Sequence, residues 1–206
     1  MPMYEAIYFF RVKRTPLSAR RKLTIDPLFL EFEGPRTNAR ITKDDMEGFR
    51  YGLRVLRFYI ITIRKTYTLE VKSSSGKIIS IRMHVFFGIG NKKIRAMFIS
   101  IYKIIHSTYF KDMVVHYVRL LKGGLPYELA GAMLNSEGIL LGPKKECIPW
   151  LRVGLKLNYL ACYIYDLADP LHFRSFDYWQ DWNASLLYSV VNYKLKSDTA
   201  PFPEKK

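Results

Sequence analysis

Ser73-Ser74-Ser75-Gly76 stands between two runs of strand-forming residues, and that arrangement narrows the fold more than any other stretch. Phe58 to Val71 is rich in Tyr, Ile and Thr, and Lys77 to Met83 returns as Ile-Ile-Ser-Ile. A Ser/Gly turn between β-branched and aromatic runs predicts an antiparallel hairpin. Other strand signals precede it. Residues 8–14 read as a short strand, and Lys22 to Glu33 reads as a strand broken near Pro27. Gly34-Pro35 is a turn, and Ile41 to Leu56 gives one or two strands in which Gly48 and Gly52 mark bends or bulges.

The pattern then changes period. After Gly88-Ile89-Gly90, Asn91 is placed to cap a helix. Ile94, Met97, Phe98, Ile101, Ile104 and Ile105 follow at helical spacing, with Lys92, Lys93, Arg95 and Lys103 off that face. The expected helix ends near Tyr109, and Lys111 to Lys122 is a further apolar segment before Gly123-Gly124.

The second part repeats the plan. Leu129–Leu134, Ile139–Leu141, Ile148–Leu157 and Tyr159–Tyr165 are strand-like, and Asp177–Leu195 reads as a helix carrying Trp182, Leu186, Leu187, Val190 and Tyr193. Trp182 is expected to pack, with at most one indole of the segment exposed. Gly34-Pro35-Arg36 recurs as Gly142-Pro143-Lys144, with Ile41–Gly48 and Ile148–Gly154 about equally far beyond. The polar tail with Pro201 and Pro203 is expected to fray. The expected fold is α+β: two similar modules, residues 1–122 and 123–206.

A sheet closed by a C-terminal amphipathic helix, twice over, together with the Ile148-Pro149-Trp150-Leu151-Arg152-Val153-Gly154 stretch, resembles tandem bacterial pleckstrin-homology-like domains. The resemblance implies a mainly antiparallel, partly open barrel in each module and a binding or scaffolding role.

Charge divides the chain unevenly. Residues 1–122 carry 24 Lys and Arg against 9 Asp and Glu, and residues 123–206 carry 9 of each, so the net charge of +15 lies wholly in the first part. Such an excess costs self-repulsion unless an anion answers it. The expected anion-binding set is Arg50, Arg54, Arg57, Arg64, Lys65, Lys72 and Lys77 on the central strands, with Lys92 and Lys93 at the helix start; Arg82 lies among them. Tyr51, Phe58, Tyr59 and Tyr67 are interleaved, a mixture that suits phosphate contacts and stacking. The expected partner is an acidic protein or an anionic membrane surface. Nucleic acid on the same face and an acidic toxin neutralised by the chain are the alternatives.

Catalytic chemistry is not expected. His84, His106, His116 and His172 form no metal-ligand spacing with one another or with Cys147 and Cys162. Asp44, Asp45 and Glu47 read as a loop beside Lys43 and Arg50. Lys72-Ser73-Ser74-Ser75-Gly76-Lys77 lacks the first glycine of a phosphate-binding loop, and Gly88-Ile89-Gly90-Asn91-Lys92-Lys93 lacks the third of a dinucleotide turn. No metal or cofactor is therefore expected. The N-terminus has no basic and apolar leader pattern, the apolar run Phe58–Ile63 is too short to span a bilayer, and two cysteines suit a reducing cytoplasm.

Overall fold

The computed structural model describes residues 6–15, 18–34, 37–142 and 146–199. Pro35-Arg36, Pro143-Lys144 and the tail with Pro201 and Pro203 lie outside the described residues. The chain divides into two compact units, Met1–Lys111 and Asp112–Lys206. It is α+β, its described strands all pair antiparallel in four sheets, and none of these sheets closes into a barrel.

The first unit opens with four strands paired in chain order: β1 (Tyr8–Lys13), β2 (Arg20–Asp26), β3 (Phe29–Gly34) and β4 (Thr37–Thr42). The expected Lys22–Glu33 strand is a hairpin, because Pro27 supplies no N–H and the Asp26 carboxylate accepts the Leu28 N–H at 2.9 Å. Leu23, Ile25, Leu30, Phe32 and Ile41 fall opposite one another in register and are all buried.

A 3-10 turn at Lys43–Asp45 leads to β5 (Met46–Phe58), β6 (Ile61–Ser73) and β7 (Ile78–Phe86). The β6–β7 turn is the Ser73–Gly76 turn, with Gly76 left-handed at φ 84°. The β5–β6 register shifts between Met46 and Gly48 and again between Leu56 and Arg57, while Gly52 pairs normally with Thr68. One face of this sheet buries Tyr67, Leu69, Val71, Ile79, Ile81 and Met83.

A helix covers that face. α1 (Asn91–Ile105) places Phe98 5.3 Å from Tyr67 and Tyr102 4.6 Å from Tyr51. Its cap differs from expectation. Gly90 occupies the cap position at φ 71°, whereas the Asn91 side-chain oxygen Oδ1 accepts the Tyr67 hydroxyl at 2.9 Å. The helix also does not stop near Tyr109. A single π turn, His106–Phe110, connects it directly to α2 (Lys111–Lys122). That turn buries both Tyr109 and Phe110, and the Tyr109 hydroxyl lies 2.6 Å and 2.7 Å from the Asp26 and Phe29 carbonyls. Burial pushes the Tyr109 phenol up, so it stays a proton donor to them.

After α2 the second unit continues with four short strands, β8 (Tyr127–Leu129), β9 (Ala132–Leu134), β10 (Gly138–Leu140) and β11 (Cys147–Pro149). A 3-10 turn at Trp150–Arg152 leads to β12 (Val153–Leu157), β13 (Ala161–Asp166) and β14 (Phe173–Asp177), and α3 (Ala184–Thr199) follows. Leu134, Ile139, Ile148, Ile164, Phe176, Leu186, Leu187 and Val190 are buried. Two glycines permit close approach: a Cβ on Gly138 would lie 2.1 Å from the Ile148 carbonyl oxygen, and one on Gly154 2.4 Å from the Tyr165 ring.

The helix expected from Asp177 begins only at Ala184. The Asp177 carboxylate accepts the N–H groups of Trp179 at 2.7 Å and Gln180 at 2.9 Å, and Asp181 accepts the Asp177 N–H at 2.8 Å. These side-chain bonds satisfy the backbone in a turn and compete with helix formation. Trp179 and Trp182 are both half-buried there.

Candidate anion-binding face

Residues 48–111 contain 13 Lys and Arg and a single carboxylate, Glu70. The β5–β7 sheet sets out much of this charge in rows, because residues paired across strands share a face. On the side away from α1 the rows run Arg50–Glu70–Ser80, Gly52–Thr68–Arg82, Arg54–Thr66–His84 and Leu56–Arg64–Phe86.

Glu70 is at the buried end of this face, its side chain only 2% exposed. Arg50 Nη2 lies 2.7 Å from Oε2, Arg82 Nη2 lies 2.8 Å from Oε1, and the Ser80 hydroxyl donates to Oε1 at 2.7 Å. Burial raises the carboxyl pKa, but hydrogen bonds from Arg82, Ser80 and Arg50 outweigh it and hold the group below its ordinary value. Arg50 and Arg82 are thereby committed to an internal ion pair. Sequence reading did not single out Glu70; its lone acidic position in a basic stretch was the available signal.

The remaining expected residues separate into two groups. Lys72 pairs with Glu47 at 3.5 Å, and Lys77 donates to the Arg40 carbonyl at 3.1 Å. Lys65 pairs with Val55 and Val85, on the face that buries Tyr67 and Leu69, and is half-buried. Arg54, Arg57 and Arg64 are exposed, and among the described residues no carboxylate lies within 4.0 Å of them. Lys92 and Lys93 are exposed in the first turn of α1, which carries no acidic residue to offset the positive helix end.

The three arginines surround a projecting apolar tip. β7 pairs with β6 only as far as Arg64, so the β5–β6 hairpin runs on alone through Arg57–Phe58 and Ile61–Ile63. Two residue pairs, Arg57 with Thr62 and Phe58 with Ile61, extend it by roughly 7 Å. Its turn is Tyr59-Ile60, 87% and 96% exposed, between the exposed Phe58 and Ile61. Two-residue hairpin turns favour Asn-Gly. Here an aromatic residue takes the left-handed position, Tyr59 at φ 51°. At the root of the tip the Phe87 N–H donates to the Ile63 carbonyl at 3.0 Å, and Phe87 and Ile89 are exposed.

No protein-family model, no curated protein and no solved structure matches the chain.

Several other residues singled out in the sequence have structural settings of their own. Asp45 accepts the Ser74 hydroxyl and ties the 3-10 turn to the β6–β7 turn. His106 stacks on Phe110 with ring centres 4.3 Å apart, and burial keeps its pKa low. Cys147 and Cys162 are separate thiols, and burial pushes Cys162 up to about 12. Among the described residues no group of three His, Cys, Asp or Glu can hold a metal ion, and no helix is long and apolar enough to cross a membrane.

Proposed function

We propose that this chain is a non-enzymatic binding protein that docks on an anionic membrane surface through the β5–β6 hairpin, as a tandem pleckstrin-homology-like α+β protein. The observation that carries the reading is the hairpin tip: Phe58, Tyr59, Ile60 and Ile61 project into solvent, with Arg54, Arg57 and Arg64 exposed behind them. An apolar end that enters the headgroup region and cations that stay in the phosphate layer are the two components of peripheral binding. A purely electrostatic acidic partner would account for the arginines and leave the exposed aliphatic turn without a role. The recurrence of sheets followed by a helix supports the tandem assignment.

Co-sedimentation of the full chain with phosphatidylcholine vesicles, with and without phosphatidylserine, tests this. Binding is expected only to the anionic vesicles, weakening as salt screens the cations. Residual binding at high salt should disappear in Ile60→Asp. Absence of binding to either vesicle overturns the membrane reading and shifts the weight to an acidic protein.

A further inference from the structure

The central row of the β5–β7 sheet has a hydrogen-bond polarity that points to a ligand class. Arg14, just past the end of β1, donates its Nε–H to His84 Nε2 at 3.2 Å, and its carbonyl accepts the His84 N–H at 2.8 Å. A guanidinium only donates, so Nε2 is the acceptor and the ring hydrogen is on Nδ1. Nδ1 lies 2.9 Å from Thr66 Oγ1 and must donate to it. The Thr66 hydroxyl accepts from His84 and retains its own hydrogen to give. Among the described residues no acceptor for that hydrogen is found.

Arg54 pairs with Thr66 across β5, and Arg64 lies two residues along β6 on the same face. Both are exposed, and among the described residues neither has a carboxylate within 4.0 Å. One oriented hydroxyl donor on the same sheet face as two neighbouring arginines suits an oxyanion with several acceptor oxygens and double charge. A phosphodiester offers one negative charge; a phosphomonoester offers nearly two.

We propose that Thr66, Arg54 and Arg64 form a subsite for a phosphomonoester carried on a lipid headgroup, with Arg14 and His84 orienting the Thr66 hydroxyl. The proposal rests on the membrane reading and names the headgroup chemistry that face selects. Burial, and then the charges of Arg14, Arg64 and Arg82, hold the His84 pKa below its ordinary value; Arg54 also faces it from β5. A bound dianion opposes those cations and moves the His84 titration upward.

The full chain is tested on phosphatidylcholine vesicles carrying phosphatidic acid or phosphatidylserine at matched surface charge. Binding to phosphatidic acid is expected to be about tenfold tighter, the worth of one charge-assisted hydrogen bond. Thr66→Val removes the hydroxyl and no charge, and should erase the preference, bringing phosphatidic acid binding down to that of phosphatidylserine. Arg64→Gln, at an exposed side chain, repeats the test if Thr66→Val does not fold, and should weaken phosphatidic acid binding more than phosphatidylserine binding. A vesicle-free arm follows the His84 ring by NMR: methyl phosphate should raise its titration and dimethyl phosphate should not. Equal binding to both lipids with no methyl phosphate response overturns the subsite and leaves the membrane reading standing. A methyl phosphate response without vesicle binding overturns the lipid source and the membrane reading, leaving a site for a soluble phosphomonoester.

Discussion

The β5–β6 and β12–β13 hairpins occupy the same place in the order of elements, each the first pair of a three-stranded sheet. Both end in exposed apolar residues: Phe58, Tyr59, Ile60 and Ile61 in the first, Leu157, Tyr159 and Leu160 in the second. They differ in length, turn chemistry and charge. The first has strands of 13 residues and outruns its third strand; the second has strands of 5 and 6. In the second turn the Asn158 side chain accepts the N–H groups of Leu160 and Ala161 at 2.8 Å and 2.7 Å, an ordinary polar solution. Only Lys156 adds positive charge there, and the Arg152 guanidinium holds the Asp166 carboxyl below its ordinary value. An apolar tip is therefore common to both units, and the feature that sets the first apart is the cluster of exposed arginines beside it.

The largest expected effect concerns the ion pair that keeps two of the arginines inside the fold. Glu70→Gln removes the carboxylate that Arg50 and Arg82 share and should cost about 3 kcal/mol in urea unfolding of the full chain at neutral pH. Because the Glu70 pKa is lowered on folding, its contribution is present above its ordinary value of 4.5 and is lost as pH falls through the folded value. The difference between wild type and Glu70→Gln should thus shrink in unfolding curves taken below that pH.

Next in size is charge reversal. Arg54→Glu, Arg57→Glu and Arg64→Glu together should weaken binding to phosphatidylserine vesicles at least about a hundredfold, since each cation near such a surface contributes about 1 kcal/mol. Lys156→Glu in the other hairpin should cost less than about tenfold by the same measure. Equal losses would erase the distinction between the two hairpins.

Smaller still is the apolar contribution. Ile60→Asp should weaken vesicle binding about tenfold, the worth of losing much of one aliphatic side chain from the interface. Tyr159→Asp should leave sedimentation unchanged if the first hairpin acts alone. A comparable loss for Tyr159→Asp would make the second hairpin an anchor in its own right.

The site was legible in the sequence as composition and illegible as partnership. The even separation of Arg50 and Arg54 places them on one face of β5, as the strand period requires. Which of them is engaged depended on Glu70 arriving opposite Arg50, a match fixed by register across a hairpin. Lys65 resembles Arg64 in sequence, yet the same register turns it to the face that buries Tyr67.

In the fold, the local features were legible in the order of residues. The Ser73–Gly76 turn, the helical spacing from Ile94 and the concentration of charge before Gly123 follow from neighbouring residues alone. Packing of the folded chain set the π turn that brings Tyr109 to the Asp26 and Phe29 carbonyls, the Gly90 cap that leaves Asn91 to Tyr67, and the late start of α3 at Ala184. In each case competing hydrogen bonds of similar strength were available to the backbone. Long-range partners at Asp26, Phe29 and Tyr67 take part in the first two outcomes, and no period in the chain records where those partners come to rest.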